Sequence, residues 1–144
     1  MSNIEAATTL ACKAHQGQID KGGSPYILHP LRLMIRMSSA AEMMAAVMHD
    51  VVEDGDVSLQ DLRVLGFPES VVSAVDCLTR RKGEDYEGFI KRLAANPLAR
   101  KVKMEDLKDN MDLTRLSDVT DKDLKRQEKY KKALRILDEL DQPV

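Results

Sequence analysis

The run His49-Asp50-Val51-Val52-Glu53-Asp54 places four side chains able to hold a metal or move a proton within six residues. The surrounding spacing predicts a helix over residues 40–53. On such a helix His49 and Glu53 stand one turn apart, and so do Asp50 and Asp54. Two pairs then project over neighbouring parts of one surface. The preceding Met43, Met44, Val47 and Met48 are apolar. A helix that is apolar up to His-Asp and acidic just beyond it is expected to be buried at its start and to open into a site.

The other histidines, His15 and His29, also lie in the first third of the chain. Taken singly, each reads as an ordinary helix or loop histidine. His29, however, sits in Pro25-Tyr26-Ile27-Leu28-His29-Pro30, just ahead of an expected helix. Such a rigid approach can fix an imidazole in one direction. A metal site would need a further acidic residue from a distant stretch, and Asp106 in Val102-Lys103-Met104-Glu105-Asp106-Leu107 is the best candidate. Asn110 follows it by one turn on the same face. Two imidazole nitrogens and two aspartate oxygens suit Mn²⁺, Fe²⁺ or Zn²⁺ better than an oxygen-only Ca²⁺ or Mg²⁺ cage. Spacing by itself supports this set only weakly, because His-Asp dipeptides also cap helices and fill cores.

The elements that must position these residues are helical. Ser2-Asn3 would cap a helix over 3–16, whose apolar spacing runs through Ile4, Ala7, Leu10, Ala11 and Ala14. Gly22-Gly23, Pro25 and Pro30 make 17–30 a loop, with Pro30 in the first turn of a helix reaching Met37. Ser38-Ser39 would cap the helix at 40–53, and Gly55-Asp56 would end it. A short helix starts at Ser58 and stops at Gly66, and another runs from Pro68 through Leu78. Arg80-Arg81-Lys82-Gly83 reads as a basic loop, followed by helices over 85–95, 98–116 and 121–140. No strand, repeat or linker is expected, so residues 1–144 read as one all-α domain.

Composition bounds the function. A chain of 144 residues fits one domain with a real core. Aromatics make up 3% with no Trp, so Leu, Val, Ile, Ala and eight Met must fill that core, a palette that favours helices. A net charge of −2 and a pI near 5.9 argue against a nucleic-acid polymer as partner. No stretch approaches a membrane span, and the N-terminus lacks a basic region followed by an apolar one. Cys12 and Cys77 form no CxxC pair, which fits two reduced, buried thiols in a cytoplasmic protein.

The motifs Ala14-His15-Gln16-Gly17-Gln18, Ser24-Pro25-Tyr26-Ile27-Leu28-His29-Pro30, His49-Asp50-Val51-Val52-Glu53-Asp54 and Val102-Lys103-Met104-Glu105-Asp106 with Asn110 occur in the order of one family. The chain resembles the HD-domain phosphohydrolases, specifically the hydrolase domain of RelA/SpoT homologues and the small stand-alone alarmone hydrolases. Phe67-Pro68 through Leu78-Thr79 also fits, and the resemblance covers roughly residues 10–116. It implies a single HD-domain helical bundle. It implies one metal ion, usually Mn²⁺, on His29, His49, Asp50 and Asp106, and removal of pyrophosphate from the 3′ position of ppGpp or pppGpp. Glu53 and Asp54 match the family's catalytic acidic pair, while Lys21 and Asn110 match positions that contact the nucleotide.

Two departures stand out. Asp20 replaces an Arg that holds the guanine base in alarmone hydrolases, and Asp cannot stack on a purine as a guanidinium does. In Asp109-Asn110-Met111-Asp112-Leu113, long-form enzymes carry a histidine before the asparagine and a basic residue near position 112, so a more acidic pocket rim is expected here. Arg115 and the Arg80-Arg81-Lys82 loop supply cations for anion contact, although any of them singly reads as a solvated charge. The final helix reads as a packing helix rather than a binding surface. Three further functions stand beside the alarmone reading: the same chemistry on another phosphorylated small molecule, a non-catalytic nucleotide- or metal-binding module, and a purely structural helical partner.

Overall fold

The computed structural model of the protein describes residues 3–141. The cap assigned to Ser2 lies outside the described residues. Nine α-helices follow one another among them: α1 (Ile4–Ala14), α2 (Leu28–Ile35), α3 (Ala40–Val47), α4 (Val51–Asp54), α5 (Leu59–Val64), α6 (Glu69–Leu78), α7 (Tyr86–Leu93), α8 (Pro97–Asn110) and α9 (Asp121–Asp141). A 3₁₀ turn at Leu113–Arg115 links α8 to α9. Among the described residues, the extended pairing is one isolated antiparallel bridge between Ile19 and Pro25. The architecture is all-α.

Side chains start these helices by taking up backbone N–H groups that have no partner within the first turn. Asn3 accepts from Ala6 N at 2.7 Å. Ser39 with Glu42, and Ser58 with Asp61, form reciprocal capping boxes. Asn96 caps α8 with Pro97 at its first position, where a missing N–H costs nothing.

Small residues let the helices approach closely. Helix α3 buries Met44, Ala45, Ala46 and Val47 and packs against α1, α2, α6 and α8. Ala7 and Ala11 of α1, Ala74 of α6 and Ala99 of α8 are fully buried in the same cluster. A second cluster joins Phe89, Ile90 and Leu93 of α7 to Leu107 of α8 and to Ala133 and Leu137 of α9. Burying each large side chain contributes roughly 1.5–3 kcal/mol. Helix α8 therefore belongs to both cores.

Four expectations change. The helix over 40–53 is interrupted at Met48–Asp50, where Val51 N bonds to Met48 O at 3.1 Å and regular bonding resumes at α4. The imidazole of His49 competes for the backbone there, donating from Nδ1 to Ala46 O at 2.8 Å. Helix α2 begins at Leu28, so His29 lies in its first turn rather than on the approach loop, and Pro30 is tolerated because that turn needs no N–H. Helix α8 ends at Asn110, not near 116, because Asp112 is extended and its carboxylate caps the Leu113–Arg115 turn. Cys12 is exposed and Cys77 half-buried, so the expectation of two buried thiols is wrong.

Candidate metal centre

Helices α2, α3 and α8 pack against one another, and each delivers one side chain to a common point. His29 comes from the first turn of α2, His49 from the turn after α3, and Asp106 from the third turn of α8. All three are buried, and one ligand atom from each lies within 4.8 Å of the others. His29 Nε2 is 2.8 Å from Asp106 Oδ1, and His49 Nε2 is 3.7 Å from the same oxygen. Asp50 stands beside this trio, its Oδ2 at 3.1 Å from His49 Nε2 while accepting a bond from the Tyr26 hydroxyl. The break at Met48–Asp50 lets consecutive residues serve one centre, where a straight helix would point them about 100° apart.

Both imidazoles are oriented from behind. A carbonyl can only accept, so the bond to Ala46 O places a proton on His49 Nδ1 and leaves Nε2 with its lone pair. His29 Nδ1 likewise donates to the Asp109 carboxylate at 2.6 Å, while its Nε2 meets Asp106 Oδ1 at 2.8 Å, where a cation would take the place of the proton between them. His49 Nε2 is buried and, despite its nearness to Asp50 and Asp106, makes no well-aligned hydrogen bond. A buried nitrogen without a partner, facing two carboxylates and a second imidazole, is what a divalent cation would satisfy.

Electrostatics agree with that fit. Burial opposes the imidazolium of His49, but the charges of Asp50 and Asp106 outweigh it and raise the ring well above its ordinary value, a pull that a cation on Nε2 would answer in place of a proton. Burial would raise Asp106, yet Lys103 at 2.8 Å and both imidazoles bring it well below the usual carboxylate range. Burial raises Glu53, and the charges of Asp50 and Asp54 add to the effect against a bond from Arg80 N at 2.7 Å. Burial likewise raises Asp54, assisted by Asp50.

A cavity of about 270 Å³ adjoins His29 and is lined by Lys21, Asn110 and Arg115, together with Asp20 and Tyr26. Glu53 and Asp54 lie outside its lining, Asp54 instead facing His15 Nδ1 at 3.6 Å. Asn110 donates to Asp106 Oδ1 at 3.1 Å, which ties the cavity wall to the trio. Arg115 lies in the 3₁₀ turn rather than on a helix. The Arg80–Lys82 loop does not reach the cavity: Arg80 donates to Glu84 O, and Arg81 pairs with Asp76 at 2.7 Å.

The expected acidic rim is present in part: Asp20, Asp112 and Asp123 line the cavity, among Lys21, Arg32, Arg115 and Arg126. Asp112 pairs with Arg115 at 3.1 Å, and Asp109 is buried among arginines. The last helix packs through Ala133 and Leu137 as expected, but it also gives Arg126 and Tyr130 to the cavity wall. Sequence reasoning missed Lys103, Tyr26, His15 and Asp109 as neighbours of the centre. Lys103, one turn before Asp106, had the clearest available signal.

Sequence comparison places the chain among known proteins. No family model matches it. It is 31% identical to a GTP pyrophosphokinase of Streptomyces coelicolor over 96% of this chain and 17% of that protein. It is 35% identical to a guanosine-3′,5′-bis(diphosphate) 3′-pyrophosphohydrolase of Vibrio cholerae over 64% of this chain and 15% of that protein. The chain thus spans only a small part of these curated relatives. A solved metazoan orthologue of SpoT, described as hydrolysing ppGpp and acting in starvation responses, superposes with a TM-score of 0.78. That match has 24% identity and covers 95% of this chain and 85% of the other. This chain is a RelA/SpoT-like HD domain. Its all-α fold matches that of the SpoT orthologue, and its His/Asp group is a candidate seat for a divalent metal.

Proposed function

We propose that this chain is a metal-dependent hydrolase that removes pyrophosphate from the 3′ position of ppGpp or pppGpp. The observation that carries the reading is the convergence of His29, His49 and Asp106 on one buried point beside Asp50. The same chain resembles proteins named 3′-pyrophosphohydrolases. His29, His49, Asp50 and Asp106 would hold the ion, with Mn²⁺ as the expected metal and Fe²⁺ or Zn²⁺ as substitutes. When bound, such a cation lowers the pKa of water and offsets charge on phosphoryl oxygens.

The chain's own groups do the rest. One carboxylate of Glu53 and Asp54 takes a proton from the attacking water, and the other returns one to the departing 3′ oxygen. Lys21 and Arg115 meet phosphate charge from the cavity wall, and Asn110 orients the ribose while steadying Asp106. The reaction as proposed converts ppGpp and water to GDP and pyrophosphate. We place this activity in the cytoplasm, acting on a free nucleotide. Among the described residues no helix is long and apolar enough to cross a membrane.

A second reading keeps the chemistry and changes the substrate. Asp20 faces the cavity where a base-holding arginine is expected, and its Oδ1 is turned back to accept from Gly22 N and Ser24 N, both at 2.9 Å. Its Oδ1 braces its own loop, and a carboxylate cannot stack on a purine as a guanidinium does. Metal-stripped protein resupplied with Mn²⁺ should release pyrophosphate from ppGpp, and Asp50→Ala should not. Failure of the wild type on ppGpp, with turnover of another phosphate ester in a nucleotide and sugar-phosphate panel, selects the second reading. Undiminished turnover by Asp50→Ala contradicts both.

A further inference from the structure

Asp109 is an acidic side chain that the proposed chemistry does not use, yet it is only 1% exposed. Its Oδ2 lies 2.6 Å from His29 Nδ1, on the far side of the ring from Asp106. Arg32 grips both carboxylate oxygens, Nε to Oδ1 and Nη2 to Oδ2, each at 2.9 Å. Arg36 Nη1 approaches Oδ1 at 3.3 Å, and Arg115 Nη2 donates to the Asp109 carbonyl at 2.8 Å. A lone carboxylate buried only to offset charge would need one cation. Here three guanidinium groups and one imidazole surround it.

We infer that Asp109 is a positioning residue for the metal centre. It holds His29 with the proton on Nδ1 and Nε2 directed at Asp106, and Arg32 keeps the carboxylate itself from turning. The inference rests on the metal reading given above and adds an outer partner to it. A carboxylate behind a ligating imidazole fixes the tautomer and orientation of the ring and raises its basicity, and loss of such a partner weakens metal binding about 10- to 100-fold. His49 has a carbonyl in the same role, so the two imidazoles are held by different acceptors. Because Arg115 touches both Asp109 and the cavity, the brace also connects the substrate wall to the ligand set.

Asp109→Asn keeps the size of the side chain and tests the inference. Mn²⁺ binding to metal-stripped protein is measured by calorimetry, and the imidazole N–H protons of Zn²⁺-loaded protein are followed by NMR. The expected result is about 10- to 100-fold weaker Mn²⁺ binding. The slowly exchanging imidazole proton that also vanishes in His29→Gln should be lost. Wild-type affinity with that proton retained overturns the inference. If Asp109→Asn does not fold, Arg32→Gln decides: it leaves the Asp109–His29 contact but removes the clamp. Weakening of about threefold or more supports the brace, and unchanged affinity overturns it. Wild-type protein that binds neither Mn²⁺ nor Zn²⁺ overturns the metal reading itself, a result distinct from an indifferent Asp109→Asn.

Discussion

His29 and His49 each donate a hydrogen bond from Nδ1 to a group behind the ring, which turns both Nε2 atoms toward carboxylates, where a cation can sit between them. That polarity separates a ligand set from an ordinary cluster of buried polar side chains. Beside it, Glu53 is raised by burial and by its acidic neighbours, so its role can be read from pH. A carboxyl with a raised folded value binds its proton more readily folded than unfolded. Its favourable contribution is therefore complete at low pH and is lost as pH rises through the interval between its ordinary and raised values. Glu53→Gln abolishes that loss and keeps an acceptor for Arg80 N. In chelator, the variant should melt above the wild type at pH 7 and at the same temperature below pH ~4. With Mn²⁺ its kcat should fall about 10²- to 10⁴-fold. Equal melting at both pH values, or an unaltered kcat, removes Glu53 from the mechanism. At this scale the types and order of His29, His49, Asp50 and Asp106 were legible from motifs. Asp109 was not, because only the rotational setting of α8 against α2 decides that it is buried under Arg32.

Among the elements, several helix starts were legible because Asn3, Ser39 and Ser58 carry the capping chemistry themselves. The break at Met48–Asp50 had no comparable signal: its cause is a side-chain bond from His49 that competes with the backbone ladder. The loop from Gly17 to Ile27 was legible by its glycines and prolines, but its contact with the Leu113–Arg115 turn was not. At Gly22 a Cβ would lie 2.5 Å from the Arg115 carbonyl oxygen. Gly22→Ala must therefore push apart two segments that carry Lys21 and Arg115 to the cavity. Steady-state kinetics should show KM for ppGpp raised about tenfold, a loss of roughly 1.4 kcal/mol in binding, with Mn²⁺ affinity unchanged. An unchanged KM would show that this loop does not meet substrate.

On the scale of the whole molecule, two apolar clusters meet at α8, and the candidate metal centre lies where that helix faces α2 and α3. The all-helical class was legible from composition and periodicity. The part of α9 in the cavity wall was not, since a charged helix packs equally well whether or not its polar residues border a hollow. A ligand that binds only the folded state stabilises it by mass action. Mn²⁺ at 100 times its dissociation constant should add about 2.7 kcal/mol, or roughly 5–10 °C in melting temperature for a chain of this size. The effect should disappear in Asp50→Ala, and a wild type that melts identically with Mn²⁺ and with chelator would speak against a folded-state metal site. The most direct measurement is an anomalous-difference map from crystals grown with Mn²⁺. It should show one peak about 2.0–2.3 Å from His29 Nε2, His49 Nε2 and carboxylate oxygens of Asp50 and Asp106. A map with no peak there, or with the metal bound elsewhere, contradicts the central claim.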